Sequence, residues 1–316
     1  MSSPDSAAFI LATRASPLAL AQANLVRGLL MARDSAMAVT VQSMRTTGDT
    51  FLDRPLADIG GKGLFTKELD EALLAKRAHF AVHSMKDLPT DLPDGLVLAV
   101  MLEREDPRDV WIGRGGSALA DLPGGSLIGT ASLRRGAQIL RARPDLRTGI
   151  FRGNVQTRLN KLAAGEADAT LLALAGLKRL GMTVGDGALA GARVLAMNEM
   201  LPAPGQGAIG IVCRAGDDQM RALLAPLDHA TTTATVTAER AALAALDGSC
   251  RTPIAAFAET DGQILSLRVA IFSPDGRKYF QTARSGMPRD AQALGFDAGG
   301  ELRRTAGPGF FAELAR

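Results

Sequence analysis

Short apolar runs alternate with amphipathic stretches along most of the chain. The apolar run 7–12 predicts a buried strand, and leucines recur at helical spacing between Leu18 and Leu30. Ser16 and Pro17 mark the start of this first helix, because serine is a favoured N-cap and proline fits the first helical position. A buried strand followed directly by an amphipathic helix is typical of an α/β fold.

The same alternation continues through the middle of the chain and then restarts. Further strands are predicted over residues 39–44, 80–83, 96–102, 126–129, 149–151, 169–173 and 209–213. Helices are predicted over 65–77, up to Leu140 and around Leu159. The charged segment 103–109 separates the two sets, so we interpret it as a crossing between domains. The loop 200–208 contains too many breakers for a helix or a strand.

The last third of the chain has a different pattern, in which one long helix precedes three strands and a final helix. The predicted elements are a helix over 231–246, strands over 254–258, 264–272 and 278–284, a hairpin turn over 273–276 and a helix within 289–316. This order predicts a small α+β domain at the end of the chain.

Composition indicates a soluble globular protein of two or three domains. The chain has 316 residues, of which 47% are apolar and 22% charged, with a formal net charge of +3. Aromatic residues make up only 4%, so we expect no nucleic-acid partner. No apolar run is long enough to span a membrane and no secretory signal is present, so we expect a cytoplasmic protein without membrane contact.

Four predicted junctions between a strand and the following helix carry the same chemistry. In a parallel α/β sheet, ligands bind at the carboxyl ends of the strands, where helix N-termini offer free N–H groups. Each junction places serine, threonine or asparagine beside arginine or lysine. One such junction would be ordinary helix capping, whereas four indicate a cleft for several carboxylates or phosphates. The junctions are residues 13–16, 84–87, 130–135 and 152–154.

The chain contains two cysteines, Cys213 and Cys250. Cys213 ends an apolar strand and is interpreted as structural. Cys250 lies within 246–253, a segment of breakers between a helix and a strand, beside Arg251. Most cysteines are buried and inert, but an exposed loop and a neighbouring guanidinium favour the reactive thiolate. We therefore expect Cys250 to be a covalent anchor.

A glycine-rich run covers residues 46–63. It does not fit a phosphate loop, because glycine follows Lys62 where a Walker motif requires Ser or Thr. A lid over the site is the better interpretation. The histidines His79, His83 and His229 are expected to be ordinary residues, and their spacing with the cysteines matches no metal site.

Eight segments, in order along the chain, match one known family. The chain resembles the porphobilinogen deaminases, also called hydroxymethylbilane synthases, from about residue 9 to residue 253, and only weakly beyond. A match of this length is more specific than any single motif. The segments are TRASPLAL (13–20), GGKGLF (60–65), AVHSMKD (81–87), EREDPRD (103–109), SLRR (132–135), RGN (152–154), AGLKRLG (175–181) and PGQGA (204–208).

The resemblance implies a monomer of three domains. The first two are expected to be α/β lobes like those of periplasmic binding proteins, with mixed, largely parallel sheets, and the third a small α+β domain that carries Cys250. The chain would leave the first lobe near 103–109 and return near 200–208. The expected boundaries are 1–103 with 199–222 for the first domain, 104–198 for the second and 223–316 for the third.

The resemblance also implies an activity. The family joins porphobilinogen units head to tail, releases ammonia at each addition and hydrolyses the linear tetrapyrrole, hydroxymethylbilane, from the enzyme in porphyrin biosynthesis. Its cofactor is a dipyrromethane built from the substrate and held through a thioether, which falls on Cys250. Asp87 matches the catalytic carboxylate, whose task would be to stabilise the cation left when ammonia departs.

The remaining matched residues are expected to hold acetate and propionate groups. A guanidinium suits this task, because its planar fork binds a carboxylate through two hydrogen bonds. Residues expected at the cofactor are Cys250, Lys86, Asp87, Thr130, Ser132, Arg134, Arg135 and Arg158. Residues expected at the incoming substrate are Arg14, Ser16, Arg152, Asn154 and Arg179.

Two other functions fit parts of the sequence. A binding protein for a small polyanion would have the same two lobes and arginine-lined cleft, but the exposed Cys250 and the missing export signal count against it. A cysteine hydrolase would need a histidine base, and none of the three histidines is placed for that task.

Overall fold

The computed structural model describes residues 9–50, 63–247 and 252–314. Cys250 and most of the predicted lid over 46–63 lie outside the described residues. The described strands are β1 (Phe9–Arg14), β2 (Val39–Met44), β3 (Phe80–Ser84), β4 (Leu96–Met101), β5 (Asp109–Gly113), β6 (Leu127–Gly129), β7 (Arg147–Gly149), β8 (Ala169–Ala173), β9 (Arg193–Val194), β10 (Ile209–Arg214), β11 (Ile254–Thr260), β12 (Leu265–Phe272) and β13 (Tyr279–Gly286). The described α-helices are α1 (Pro17–Arg33), α2 (Thr47–Thr50), α3 (Lys67–Leu74), α4 (Leu133–Ala142), α5 (Val155–Ala163), α6 (Leu174–Arg179), α7 (Asp218–Leu224), α8 (Ala230–Ala245) and α9 (Ala291–Leu314).

The first sheet has the strand order β2-β1-β3-β10-β4. Strand β1 is parallel to β2 and β3, whereas β10 runs antiparallel to both of its neighbours. Leu11 and Phe80 pack in one cluster with helix α1, and their neighbours Ala12 and Ala81 pack in another with helix α3. Helices therefore cover both faces of the sheet, which explains why its strands read as continuous apolar runs.

The second sheet has the order β7-β6-β8-β5-β9, which repeats the order of the first. Strand β6 is parallel to β7 and β8, and β5 runs antiparallel to its neighbours β8 and β9. Strand β5 follows the first crossing and β10 follows the second. In each lobe, the strand that directly follows a crossing is therefore the antiparallel one. The two sheets confirm the expected pair of α/β lobes.

Most predicted strands and helices are confirmed within a few residues, but three strands differ. The strand predicted over 149–151 lies over Arg147–Gly149, because Phe151 turns into the core and packs against Gly129. The patterns do not predict β5, because the charges before Asp109 obscure a short strand whose apolar residues are buried. They also do not predict β9, which has only two residues.

The third sheet is antiparallel, with the order β11-β12-β13, and helices α8 and α9 pack on it. The two helices cross closely, because Gly295 and Gly299 of α9 face the backbone of α8. This arrangement confirms the predicted α+β domain. Helix α9 is interrupted at Gly307, whose φ of +73° is not helical, and Pro308 follows directly. Neither α9 nor any other helix in the described ranges is apolar enough over a sufficient length to cross a membrane.

The two crossings between the lobes run side by side. The N–H of Leu102 donates to the carbonyl of Ile209 at 3.0 Å, and the N–H of Glu105 donates to the carbonyl of Gly207 at 3.2 Å. Gly207 has a φ of +91°, and a Cβ at this residue would lie 2.3 Å from the carbonyl oxygen of Glu105. Only glycine permits so close an approach of the two crossings.

A buried ion pair connects both crossings to the third domain. Two nitrogens of Arg104 donate to the carboxylate of Glu239 at 2.6 and 3.1 Å, and Glu239 is fully buried. The same carboxylate accepts hydrogen bonds from the backbone N–H of Gly205 at 2.7 Å and of Ala258 at 2.8 Å. Glu239 therefore contacts the first crossing, the second crossing and strand β11 at once.

We expect Gly295→Ala to lower the free energy of unfolding by about 1–3 kcal/mol, because the added methyl group overpacks the helix crossing. Its Cβ would lie 2.2 Å from the carbonyl oxygen of Ala238 and 2.6 Å from the Cβ of Ala241. Gly300→Ala is the control, since its Cβ would meet only the flexible end of Arg304, at 3.4 Å. Urea unfolding measures both variants, and equal stabilities would contradict the close crossing.

Candidate active site

Strand β3 ends in a single turn that presents two charged side chains. Residues Met85–Asp87 form this 3₁₀ turn. The side chain of Met85 is buried, and its N–H donates to the carbonyl of Ala208 in the second crossing at 3.0 Å. The second crossing therefore fixes the turn, and Lys86 and Asp87 lie at the carboxyl end of strand β3.

Arg14, at the end of β1, lies beside Asp87. Its guanidinium nitrogen is 3.7 Å from the Asp87 carboxylate, and both side chains are partly exposed. The guanidinium also lies over the ring of Phe65, 4.2 Å from the centroid, which adds a cation–π contact. Arg14 and Asp87 therefore face a common opening between β1 and β3.

A polar cavity of about 40 Å³ lies next to this pair. His83, for which the sequence predicts no function, lines this cavity. Its Nε2 atom is buried and has no hydrogen-bond partner. Burial, followed by the charge of Arg14, lowers the pKa of His83 to about 4, so its ring is neutral. Gln22 and Ser84, also in the lining, exchange hydrogen bonds at 2.8 and 3.1 Å. The cavity is large and polar enough to hold a water-sized group.

Asp109, the first residue of β5, lies fully buried between Arg134 and Arg135. Its Oδ2 is 2.8 Å from Arg134, and its Oδ1 accepts hydrogen bonds from Arg135 at 2.6 and 3.1 Å. Gln206 of the second crossing donates to the same Oδ1 at 3.0 Å. Burial alone would raise the pKa of Asp109, but the two guanidinium groups outweigh it and hold that pKa well below its usual range.

The two guanidinium groups are also held by the main chain. Arg135 donates to the carbonyl of Leu171 at 2.9 Å, and Arg134 donates to the carbonyl of Leu201 at 2.7 Å. Both side chains are buried, and burial lowers the pKa of Arg134. The Nε of Arg134 is buried and has no hydrogen-bond partner, so it is a donor available to a ligand.

Arg152 and Arg158 come from the second lobe, around the start of α5. Arg152 is buried and donates to the carbonyl of Gly48 in the first lobe at 3.3 Å. Arg158 donates to the carbonyl of Gly153 at 2.9 Å. Burial, followed by the charges of Arg135 and Arg152, lowers the pKa of Arg158 to about 10. The effect of these charges shows that the guanidinium groups of Arg135, Arg152 and Arg158 lie near one another.

Arg179, in the last turn of α6, lies at the crossings. It donates to the carbonyl of Gly207 at 2.6 Å, and its charged neighbour there is Glu105. Burial lowers the pKa of Arg179 and the charge of Glu105 opposes that effect. Arg179 therefore borders the site from the side where the two lobes are joined.

The predicted hydroxyl and amide residues hold helix N-termini and the turns before them. Ser16, Ser132 and Asn154 are the N-caps of α1, α4 and α5, and each accepts a hydrogen bond from a backbone N–H of the first turn. Thr130 accepts a hydrogen bond from the N–H of Ser132 at 3.1 Å. The predicted N-cap at Ser16 is confirmed, whereas the contact of these four residues with a ligand stays a prediction.

Positive charge exceeds negative charge at this site. Burial lowers the pKa of Lys86 to about 8, and its charged neighbours are Asp87, Arg135, Asp109 and Arg134. Arg158 lies within the influence of Arg152, Arg135 and Asp87 in the same way. Among the described residues, five cations besides Arg14 thus meet two carboxylates in one partly buried cleft, which favours an anionic ligand. The five cations are Lys86, Arg134, Arg135, Arg152 and Arg158.

The structure therefore brings most of the predicted charged residues together, whereas Thr130, Ser132 and Asn154 have only local contacts within the described ranges. Arg179 lies at the crossings, and Cys250 falls outside the described residues. Sequence reasoning misses Asp109 and Gln22. The available signal for Asp109 was its position directly before an apolar triplet, which marks the start of a strand rather than a solvated charge. Gln22 lies inside the amphipathic helix α1, where a polar residue gives no signal of its own.

Two family models match the chain. Residues 9–222 match the model described as porphobilinogen deaminase, dipyromethane cofactor binding domain, and residues 233–304 match the model described as porphobilinogen deaminase, C-terminal domain. The chain belongs to the porphobilinogen deaminase family. The second match extends the resemblance beyond residue 253, where the sequence motifs alone are weak.

Relatives in the porphobilinogen deaminase family cover nearly the whole chain. The porphobilinogen deaminase of Nitrobacter hamburgensis is 53% identical over 306 residues, which cover 96% of this chain and 95% of the relative. The chloroplastic porphobilinogen deaminase of Oryza sativa subsp. japonica is 54% identical over 311 residues, which cover 96% of this chain and 85% of the relative.

Two solved structures that match this deaminase-family chain are far less similar to it in sequence. The periplasmic VFT2 domain of Bordetella pertussis BvgS is 14% identical, with a TM-score of 0.40, over 70% of this chain and 86% of that one. A variant of the OxyR2 regulatory domain from Vibrio vulnificus is 15% identical, with a TM-score of 0.42, over 72% of this chain and 98% of that one. The assignment of two α/β lobes rests on the strand orders of the chain itself.

We expect one lysine of the cofactor-free protein to titrate near pH 8, because burial lowers the pKa of Lys86 from 10.5 to about 8. The amine loses its proton as the pH rises through this value. NMR of ¹³C-labelled lysine side chains measures the midpoint, and Lys86→Met identifies the signal. Asp109→Asn should move the midpoint lower still, because the charge of Asp109 raises the pKa of Lys86. A midpoint above 10 would contradict the burial of the Lys86 amine.

Proposed function

We propose that this chain joins porphobilinogen units head to tail, releases ammonia at each addition and produces the linear tetrapyrrole hydroxymethylbilane. The observation that carries the proposal is the excess of positive charge around the turn that bears Asp87. Each porphobilinogen brings an acetate and a propionate group, so a growing chain of pyrroles supplies the negative charge that the cleft lacks. Membership of the porphobilinogen deaminase family supports the same reaction.

The family's cofactor is a dipyrromethane, and we infer that Cys250 holds it through a thioether. The residues of the cleft fit such a group, because its carboxylates match the cation cluster and the buried Nε of Arg134 offers an unused donor. When bound, the cofactor supplies the terminal pyrrole carbon to which the first substrate is added. A thioether suits this task, since it resists the hydrolysis that releases the product.

Asp87 is proposed as the catalytic carboxylate. When ammonia leaves the substrate, positive charge develops on the remaining pyrrole and its methylene carbon. A fixed carboxylate at the mouth of the cleft stabilises that charge more in the transition state than in the ground state. Asp87 fits this role because the anchored turn fixes its backbone while its side chain stays partly exposed.

The other site residues are proposed to bind and orient carboxylates. Residues grouped around Asp109 and Lys86 are assigned to the cofactor, and residues near the Arg14 opening or the crossings to the incoming substrate. The cofactor group is Lys86, Thr130, Ser132, Arg134, Arg135 and Arg158. The substrate group is Arg14, Ser16, Arg152, Asn154 and Arg179.

We further propose the finer organisation of the protein. Its three domains would comprise residues 1–103 with 199–222, residues 104–198, and residues 223–316, which agrees with one sheet for each domain. The protein would act as a cytoplasmic monomer whose partner is the small molecule porphobilinogen, without nucleic acid. Size-exclusion chromatography with light scattering tests the oligomeric state.

We expect the purified protein to carry a dipyrromethane on Cys250. Intact mass measures the adduct, and peptide mapping locates it. Cys250→Ser should lack it, whereas Cys213→Ser is the control and should keep it, because Cys213 is fully buried in the first lobe. An adduct mapped to Cys213, or a chromophore retained by Cys250→Ser, would overturn the assignment.

We expect Asp87→Asn to lower kcat by roughly 100-fold or more, because losing one preorganised interaction with developing charge costs about 3 kcal/mol. The amide keeps the size of the side chain, so stability should change little. The assay follows ammonia release and hydroxymethylbilane formation from porphobilinogen. Activity within a few-fold of the unchanged protein would show that another group stabilises the cation.

A further inference from the structure

Arg240, on helix α8 of the third domain, holds the loop that directly follows Asp87 in the first lobe. Its Nη1 donates to the carbonyl of Leu88 at 2.9 Å. Its Nη2 donates to the carbonyl of Pro89 at 2.6 Å and to the carbonyl of Thr90 at 3.3 Å. One rigid guanidinium thus joins three consecutive carbonyls, a geometry that a lysine amine cannot reproduce.

The charge of Arg240 strengthens these contacts. Burial lowers the pKa of Arg240 to about 10, and the neighbouring Asp91 opposes that effect, so the side chain stays protonated at neutral pH. Hydrogen bonds from a charged donor are stronger than those between neutral groups. Without Arg240, the carbonyls of this irregular loop would form hydrogen bonds with water, which does not fix the loop's conformation. The guanidinium therefore restricts the conformation of the loop.

An apolar contact supports the same connection. Val236, one turn before Arg240 on α8, is fully buried in a cluster with Met85 and Leu88. Residues four positions apart lie on one face of a helix. This face of α8 therefore packs with the first residue of the turn that bears Asp87 and with the residue directly after that turn.

Helix α8 is itself fixed, and it leads towards the proposed anchor. It packs closely against α9, because Gly295 and Gly299 face its backbone. The helix ends at Ala245, and Cys250 follows five residues later. The element that precedes the anchor is thus the element that holds the loop after Asp87.

We propose that Arg240 is a positioning residue that keeps the Asp87 turn of the first lobe in register with α8. A thioether alone lets an anchored chain rotate about single bonds, so contacts between the domains must set where its reacting end meets Asp87. Arg240 supplies such a contact on the side of the carboxylate. The proposal rests on the proposed functions of Asp87 and Cys250, and it adds a residue that touches neither substrate nor cofactor.

Arg143 of the second lobe offers a matched control. Its guanidinium donates to the carbonyls of Leu119 and Leu122 at 2.8 Å and of Ala120 at 3.2 Å, besides its ion pair with Asp145. Like Arg240, it therefore binds several carbonyls of one loop, but this loop carries no site residue. A merely structural effect of losing such contacts should be equal at both arginines.

The test compares Arg240→Gln, Arg240→Lys and Arg143→Gln as full-length, cofactor-loaded protein. We expect Arg240→Gln to keep its cofactor by intact mass, but to lose roughly 10- to 100-fold in kcat with KM changed only a few-fold, because small displacements of a catalytic group cost about this much. Hydrogen exchange should rise at residues 88–91. Arg240→Lys should recover kcat in part, and Arg143→Gln should leave kcat unchanged while lowering stability.

Three results would overturn the proposal. One is a kcat for Arg240→Gln within twofold of the unchanged protein while its stability falls as in Arg143→Gln. Another is loss of cofactor loading in Arg240→Gln, which would give Arg240 a part in assembly instead. The third applies if Arg240→Gln does not fold. In that case, a kcat for Arg240→Lys equal to that of the unchanged protein would overturn the proposal. Failure of the proposed function is a separate outcome, since the unchanged protein would then carry no pyrrole adduct and release no ammonia.

Discussion

The carboxylate of Glu239 is the contact on which the relation of the three domains depends. It is fully buried and accepts hydrogen bonds from Arg104 and from two backbone N–H groups, so the first crossing, the second crossing and β11 meet at one group. Removing either partner of such a pair leaves a buried charge and costs about 3–5 kcal/mol. The next residue along α8, Arg240, contacts the loop after Asp87. Adjacent residues of one helix therefore serve the joints between domains and the site itself.

The cation cluster concentrates positive charge in a partly buried site. The lowered pKa values of Lys86, Arg134 and Arg158 have burial as their largest cause, and each also reflects repulsion by neighbouring guanidinium groups. Asp109 offsets part of this repulsion and holds two guanidinium groups in fixed orientations. An anion that enters the cleft meets donors that are already ordered, so little of its binding energy is lost to ordering side chains.

The sequence predicts the elements whose signals are local. The strand β1 with its Ser16 cap, the restart of the strand–helix pattern and the clustering of arginines at strand ends follow from spacing and from the chemistry of helix termini. The two α/β lobes are implied by the resemblance to the family and agree with the two sheets. The partners of Asp109 and Arg240 do not follow, because 26 residues separate Asp109 from Arg135 and 152 separate Arg240 from Leu88. Periodicity describes one element at a time, whereas these contacts depend on how the sheets are placed. Strand β5 is missed for a related reason, since its charged first residue is buried only because distant arginines neutralise it.

The position of β10 also governs the order in which the chain can be completed during translation. This strand lies between β3 and β4, yet the whole second lobe is encoded between β4 and β10. During synthesis of the second lobe, β3 and β4 have no β10 to pair with. Their unpaired backbone N–H and C=O groups can then form hydrogen bonds with other chains. The second sheet receives its antiparallel strand β5 first and closes with β9, before β10 exists. The lobe that is encoded first is thus finished last, and its inner edges stay open until residue 214 has left the exit tunnel.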